Sequence, residues 1–233
     1  MRAKLAAFHQ IGKSLKVKLA IFDLDNTLIA GDSDCLWGEF LSEHGHVDSA
    51  AYRTEHDQYY QDYLDGQLDI NAFLRFQLKP LAENDVDKLE QWRKEYLAEK
   101  IKPIILPKAI ELVEEHRQQG HELLIITATN RFLTEPIAKE FSIDNLIACE
   151  PEIINGQYTG RTVGTPSYAH GKVKRFHEWL NNKKSPDESW FYSDSHNDIP
   201  LLREVDHAIA VDPDASLKEE AKKQNWTIIS LRE

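Results

Sequence analysis

Cysteine is scarce, with Cys35 and Cys149 the only two among 233 residues. Two thiols so far apart give neither a disulfide framework nor a zinc-type spacing, and they read as small buried hydrophobes of a protein kept in a reducing compartment. Long apolar runs are missing as well. No segment approaches the ~18 apolar residues that a membrane span needs. The basic start MRAKLAAFHQIGKSLK is interrupted by His9, Gln10, Gly12 and Lys13 before a signal-peptide core can form. The expectation is a cytoplasmic protein whose first 16 residues form a loose extension or a short helix. Positive charge is in deficit too, since 28 Lys and Arg against 39 Asp and Glu leave a net charge of −11. A field of that sign repels nucleic acid and anionic lipid, so neither is expected as a partner. An anionic ligand would have to be drawn in by a local device such as a metal, a lysine or a helix N-terminus.

What is present organises into alternating elements. Apolar runs at VKLAIF (17–22), ELLIIT (122–127), LIAC (146–149), WFYS (190–193), HAIAV (207–211) and WTIIS (226–230) read as buried strands of a mostly parallel sheet. Helical text lies between most of them: Lys108 to Gln119, Thr134 to Phe141 with Pro136 in its first turn, and Gly171 to Leu180. Asn155-Gly156, inside PEIINGQYTGRTVG, marks a hairpin. The fold class is therefore α/β, a doubly wound mostly parallel sheet. One stretch breaks the rhythm. From about Ser33 to Lys102 no strand appears, only amphipathic helical text punctuated by Gly45, Gly66, Pro80 and Pro103. The expected organisation is a core of residues 1–30 and 104–233 with an inserted α-helical cap at 31–103, lying over the carboxyl edge of the sheet.

The first strand ends in Asp23 and Asp25 within LAIFDLDNTLIAGD. Residues i and i+2 of an extended segment face the same side, so both carboxylates can enter one pocket. An isolated Asp at that place would more simply be a turn or capping residue. A second pair closes the strand in SWFYSDSHNDIPLL: Asp194 at its end, then Asp198, either a helix cap before Pro200 or a metal-site acid. Carboxylates gathered at neighbouring strand ends repel unless a cation compensates, and hard oxygen donors without nearby His or Cys favour magnesium. Thr127, after LLII, and Lys172, in AHGKVKRF, add a hydroxyl and an ammonium, as a phosphoryl group requires. Taken singly, each is ordinary surface chemistry.

Together and in this order, the four pieces resemble the haloacid dehalogenase superfamily of phosphatases: DLDNTL for DxDx[TV]L, Thr127, Lys172, and DSHND. The resemblance covers the whole chain, and the helical insertion looks like the cap of the phosphoserine-phosphatase-like branch. It implies a Rossmann-like core and a magnesium-dependent phosphomonoester hydrolase acting on a small soluble metabolite through an aspartyl phosphate. Residue by residue, it implies Asp23 as nucleophile, Asp25 as general acid/base, and Thr127, Lys172 and Asn130 as phosphate binders. Mg2+ would be held by Asp23, the backbone carbonyl of Asp25, Asp194 and Asp198. Asn197 matches the asparagine of the fourth motif. Ser193 and Ser195 stand where that branch usually has glycines, which puts phosphoserine itself in doubt as the substrate.

Substrate choice is assigned to Asp32, Arg75, Arg131 and Asn197, with a turn or N-cap role in GDSD as the alternative for Asp32 and an exposed, solvated side chain as the alternative for Arg75. Asp32 lies where the branch commonly has a glutamate that meets an ammonium, which points to an amino-bearing ester such as phosphoserine or histidinol phosphate. Trp37, Tyr59 and Tyr60 read as cap core. The pairs His44/His46 and His116/His121 lack the partners of a zinc site. Competing readings are a phosphomutase on a sugar phosphate, a dehalogenase, which Asp25 and Asp194 argue against, a receiver-like signalling domain, which would lack the helical insertion, and a catalytically silent binding protein. A monomer or a homodimer is expected.

Overall fold

The protein is seen as a computed structural model that describes residues 16–181 and 183–232, so the expected N-terminal extension lies outside the described residues. Seven strands form one sheet in the order β4-β3-β2-β1-β5-β6-β7. They are β1 (Lys18–Phe22), β2 (Glu122–Asn130), β3 (Asn145–Ile154), β4 (Gln157–Val163), β5 (Glu188–Ser193), β6 (His207–Val211) and β7 (Thr227–Ile229). All pairings are parallel except β3 with β4. That exception is the hairpin signalled by Asn155-Gly156, whose φ values of 52° and 80° suit a two-residue primed turn.

Alternation within β1 builds the core. Leu19 and Ile21 face a cluster with Phe176, Phe191, Leu201 and Leu217, whereas Ala20 and Phe22 face Val113, Ile125, Phe132 and Ile137. Both faces are covered, so the strand reads as continuously apolar. β1 is central, with β2 on one side and β5 on the other. The chain's winding reverses there, and the crevice beyond the strands' carboxyl ends is where such sheets bind ligands.

Between β1 and β2 come helices α1 (Ser33–Glu43), α2 (Ser49–Leu64), α3 (Ile70–Ala82), α4 (Val86–Tyr96) and α5 (Pro107–Gln118), with a π turn at Leu97–Ile101. An antiparallel bridge between Ile29 and Ile105 clasps the two ends of the α1–α4 insert. Gly45 and Gly66 follow α1 and α2 at φ 67°, but Pro80, read as punctuation, stays inside the last turn of α3, where Asn84 donates to its carbonyl at 2.9 Å. β4 lies against α3 closely enough that a Cβ on Gly160 would stand 3.2 Å from the Ala82 side chain. The remaining helices are α6 (Arg131–Glu140), α7 (His170–Leu180), α8 (Ile199–Leu202) and α9 (Ala215–Gln224). α6 begins three residues before the expected Thr134, because Asn130 caps it, which places Pro136 in its second turn. No helix among the described residues is long and apolar enough to cross a membrane.

The histidine pairs serve packing. His46 stacks on Trp92 at 3.8 Å and His44 lies against Phe40 at 4.3 Å. His116 and His121 share a hydrogen bond between their Nδ1 atoms at 2.7 Å, and His116 Nε2 meets the Tyr192 hydroxyl at 2.7 Å. Burial, then the neighbouring His121, pushes His116 down to about 4. A depressed histidine stays neutral in the folded protein while the unfolded chain takes up a proton, so its contribution is full above about pH 6.5 and is lost as pH falls toward 4. The melting temperature of His116→Phe is therefore expected to fall less steeply than that of the wild type between pH 7 and pH 5. Parallel slopes in a thermal-melt series would show that the pair does not carry this linkage.

Candidate active site

The backbone N–H of Asp23 donates to Tyr192 O at 2.9 Å, extending the β1–β5 ladder by one residue and fixing where its side chain points. Leu24 is fully buried, and the N–H groups of Thr27, Leu28 and Ile29 all turn back onto its carbonyl. That turn, with Asn26 at φ 55°, brings Asp25 to the same pocket as Asp23. Three donors hold the Asp25 carboxylate: the Ser33 N–H at 2.7 Å, Thr129 Oγ1 at 2.9 Å and Thr127 Oγ1 at 3.3 Å. Thr127 and Thr129 are i and i+2 on β2, so both hydroxyls face one side. Thr129 was legible from that spacing and was missed.

Lys172 arrives by a tight approach. A Cβ on Gly171 would lie 2.0 Å from the Pro166 carbonyl oxygen, and Ala169 sits at φ 48°; the glycine lets the loop fold onto the first turn of α7. Lys172 Nζ, buried, lies 2.7 Å from Asp23 Oδ1 and 2.7 Å from Asp198 Oδ2. Burial pulls the ammonium's pKa down, but the carboxylates of Asp198 and Asp23 outweigh it and hold the group charged. Asp198 does not cap α8. Its Oδ2 also accepts from Ser193 Oγ at 2.7 Å, so Ser193 supports the acid next to the lysine. Asp194 exchanges two bonds with Thr27, its Oδ1 accepting from Thr27 Oγ1 at 3.1 Å and its N–H donating to the same oxygen at 3.1 Å.

Burial raises the pKa of Asp23 well above the usual carboxylate range, opposed by Lys172 and reinforced by Asp198, Asp194 and Asp25. Burial and then Asp198 push Asp194 up to about 7. Carboxylates strained in this way attract a cation. Asp23 Oδ2 receives no hydrogen bond among the described residues, leaving it open toward the cavity. Among the described residues no cage of three or more His, Cys, Asp or Glu side chains is set for a metal. Magnesium usually takes one or two carboxylates and completes its shell with water and substrate phosphate. Asp23 and Asp194 are the acids that would hold it, with the Asp25 carbonyl; the Lys172 and Ser193 contacts commit one oxygen of Asp198.

A cavity of about 440 Å³ opens above these groups, roofed by the helical insert. Asp32 lines it and caps α1, accepting from Cys35 N at 2.9 Å, and burial with Asp25 pushes it to about 7. Asp34, absent from the sequence reading, lines it too and is raised by burial, Asp32 and Asp25. Asn197 lines it and accepts from the Tyr168 hydroxyl at 3.1 Å. Other assignments need correction. Asn130 is buried outside the lining, accepting from Leu133 N at 3.3 Å as the α6 cap. Arg131 forms a two-pronged pair with Glu150 at 2.8 Å and donates to Leu146 O, away from the cavity. Arg75 is exposed and outside the lining. Trp37 is buried core, but Tyr59 and Tyr60, read as core, line the cavity, and Tyr60 is 49% exposed. Tyr63, Ser195, His196 and Asp214 also line it, and no sequence signal had singled out Tyr63, His196 or Asp214.

Comparison with known proteins agrees with this geometry. The haloacid dehalogenase-like hydrolase family matches residues 20–203. A histidinol-phosphatase of Neisseria meningitidis is 43% identical over 219 residues, covering 92% of this chain and 99% of that protein. A solved structure from Bordetella pertussis, described as a protein of unknown function, superposes with a TM-score of 0.88 at 39% identity, covering 93% of this chain and 99% of that one. A phosphoserine phosphatase solved as an analogue of its phospho-aspartyl intermediate shares the fold, with a TM-score of 0.67 at 18% identity, covering 94% of each chain. With its acids, threonines and lysine converging on one crevice, the chain belongs to the haloacid dehalogenase-like hydrolase family and, within it, to the phosphatases.

Proposed function

We propose that the protein is a magnesium-dependent phosphomonoesterase acting, through an aspartyl phosphate on Asp23, on a small amino-bearing ester, with histidinol phosphate as the first substrate to test. The observation that carries this reading is the pairing of an open Asp23 Oδ2 with a buried Lys172 that grips the same carboxylate at 2.7 Å. The 43% identity to the Neisseria histidinol-phosphatase supports the substrate, and a cavity carrying both acids and aromatics accommodates a cationic ring-bearing ester.

The chain's own groups divide the work. Asp23 attacks phosphorus; the new P–O bond forms as the bond to the leaving alkoxide breaks, and Asp25 delivers the proton that the alkoxide needs. Water then attacks the aspartyl phosphate, Asp25 takes its proton, and inorganic phosphate departs with Asp23 regenerated. Thr127 and Lys172 supply an O–H and the third N–H of the ammonium to the equatorial oxygens. Bound Mg2+ supplies positive charge that screens the approaching anion from Asp23. The shorter Ser33 and Thr129 contacts keep Asp25 aimed, while the single Thr127 O–H turns from Asp25 to the phosphoryl oxygen when substrate binds.

Four outcomes test the assignment and the pairing behind it. Asp23→Asn is expected to release inorganic phosphate from histidinol phosphate only at the uncatalysed background. Asp25→Asn should lower kcat by about 10²–10⁴-fold with KM nearly unchanged, and an unaltered kcat would remove its proton-transfer role. Chelation with EDTA should abolish phosphate release and added Mg2+ restore it; full activity in the chelated protein would refute the metal dependence. Lys172→Met leaves two buried carboxylates without their cation, so urea unfolding at pH 8 should show a loss of about 3–5 kcal/mol. A loss under about 1 kcal/mol would mean that the pair is not held as described.

A further inference from the structure

Helix α2 buries none of its described residues, whereas α1 buries Trp37, Phe40 and Leu41 and α3 buries Leu74, Phe76 and Leu78. A surface helix usually sinks its apolar stripe into the core. The stripe that α2 carries is aromatic and goes elsewhere. His56, Tyr59, Tyr60 and Tyr63 stand at i, i+3, i+4 and i+7, so they share one helix face, and all four line the active-site cavity. Leu68, Ile70 and Phe73, from the turn after α2 and the start of α3, continue the same wall. Large apolar side chains kept out of the core and gathered around one cavity mark a place for a ligand.

The rings of the stripe are held to different degrees. Tyr63 is tied by its hydroxyl to Ser195 Oγ at 2.8 Å. Tyr59 is fixed by other rings, 5.5 Å and 64° from Phe73 and 5.4 Å and 37° from Phe76. Tyr60 is 49% exposed and meets no other ring and no hydrogen-bond partner among the described residues. The acids and Lys172 gather at the carboxyl edge of the sheet, and the insert roofs the cavity above them. An ester whose phosphorus reaches Asp23 therefore turns its leaving group toward α2. Flat π faces favour a flat partner, by stacking if that ring is neutral and by attraction to the π face if it is cationic. We propose that Tyr59 and Tyr60 are specificity-determining residues, a ring subsite that selects phosphomonoesters whose leaving group ends in a planar aromatic ring. This deepens the reading of the site as a phosphomonoesterase and rests on it.

The test compares phosphate release, with Mg2+, from histidinol phosphate, which carries a ring and an ammonium, phenyl phosphate, which carries a ring alone, and phosphoethanolamine, which carries an ammonium alone. In Tyr60→Ala, the ratio of kcat/KM for each ring-bearing ester to that for phosphoethanolamine should fall about tenfold, the worth of one good ring contact. The fall should lie in KM rather than in kcat. Tyr60→Phe, which keeps the ring and loses the hydroxyl, should hold the ratio. Tyr59→Leu, which keeps apolar packing on Phe73 and Phe76 but removes the ring, should lower it. Product inhibition reads the same contact without turnover of the poorer ester: the inhibition constant of histidinol should rise about tenfold in Tyr60→Ala and stay unchanged in Tyr60→Phe. A ratio unchanged in Tyr60→Ala or in Tyr59→Leu, or a loss shared equally by the three esters, overturns the inference while leaving the phosphatase reading intact. Wild-type protein inactive on all three esters would instead remove that reading, and this inference with it.

Discussion

The Lys172 ammonium, lodged between Asp23 and Asp198 in a buried pocket, is the contact on which the rest of the site depends. Asp23, Asp25, Asp194 and Asp198 converge on a small volume at the carboxyl edge of the sheet, and the repulsion among them would open the pocket or protonate it. One ammonium cannot neutralise four acids. It commits one oxygen of Asp23 and one of Asp198 and leaves the other Asp23 oxygen facing the cavity. The site is thus organised but still electron-rich, which is the condition under which a dication and a phosphoryl group bind together.

The fold is arranged around delivering that lysine and those acids to one place. β1 and β5 are neighbours because the sheet winds outward in both directions from β1, and this puts Asp23 beside the loop carrying Asp194 and Asp198, although more than 170 positions separate the chain segments. The α7 approach needs a glycine at position 171, where any side chain would collide with the Pro166 carbonyl. Ser193, which replaces a glycine usual in the phosphoserine-type branch, donates to Asp198 and so reinforces the grip on Lys172.

Much of this was legible in the sequence. The strands announced themselves as apolar runs because both faces of the sheet are covered, and the hairpin followed from Asn155-Gly156. Asp23, Asp25, Asp194 and Thr127 converge as the strand ends required, and Lys172 joins them from the first turn of α7. What failed was the direction in which side chains point from the loops. Asn130 and Arg131 follow Thr127 closely, yet one turns inward to cap α6 and the other reaches sideways to Glu150. Sequence spacing fixes sides along a strand but loses them at a strand-to-helix corner. Tyr59 and Tyr60 illustrate the same limit for a helix. Periodicity identified an apolar face on α2 without indicating that the face looks onto the cavity. Asp34 carries no signal of its own in the sequence: an acid in the first turn of α1 is what a helix start commonly shows.

The Tyr63 hydroxyl, 2.8 Å from Ser195 Oγ, joins α2 to the loop that holds Asp194 and Asp198. Elsewhere the insert is braced: Arg93 of α4 donates to Phe132 O, β4 backs α3, and the Ile29–Ile105 bridge shuts its base. A neutral hydrogen bond of this kind is worth about 1 kcal/mol net, a factor of roughly five in an equilibrium. One hydroxyl pair thus ties the substrate-facing helix of the insert directly to the loop that carries the acids.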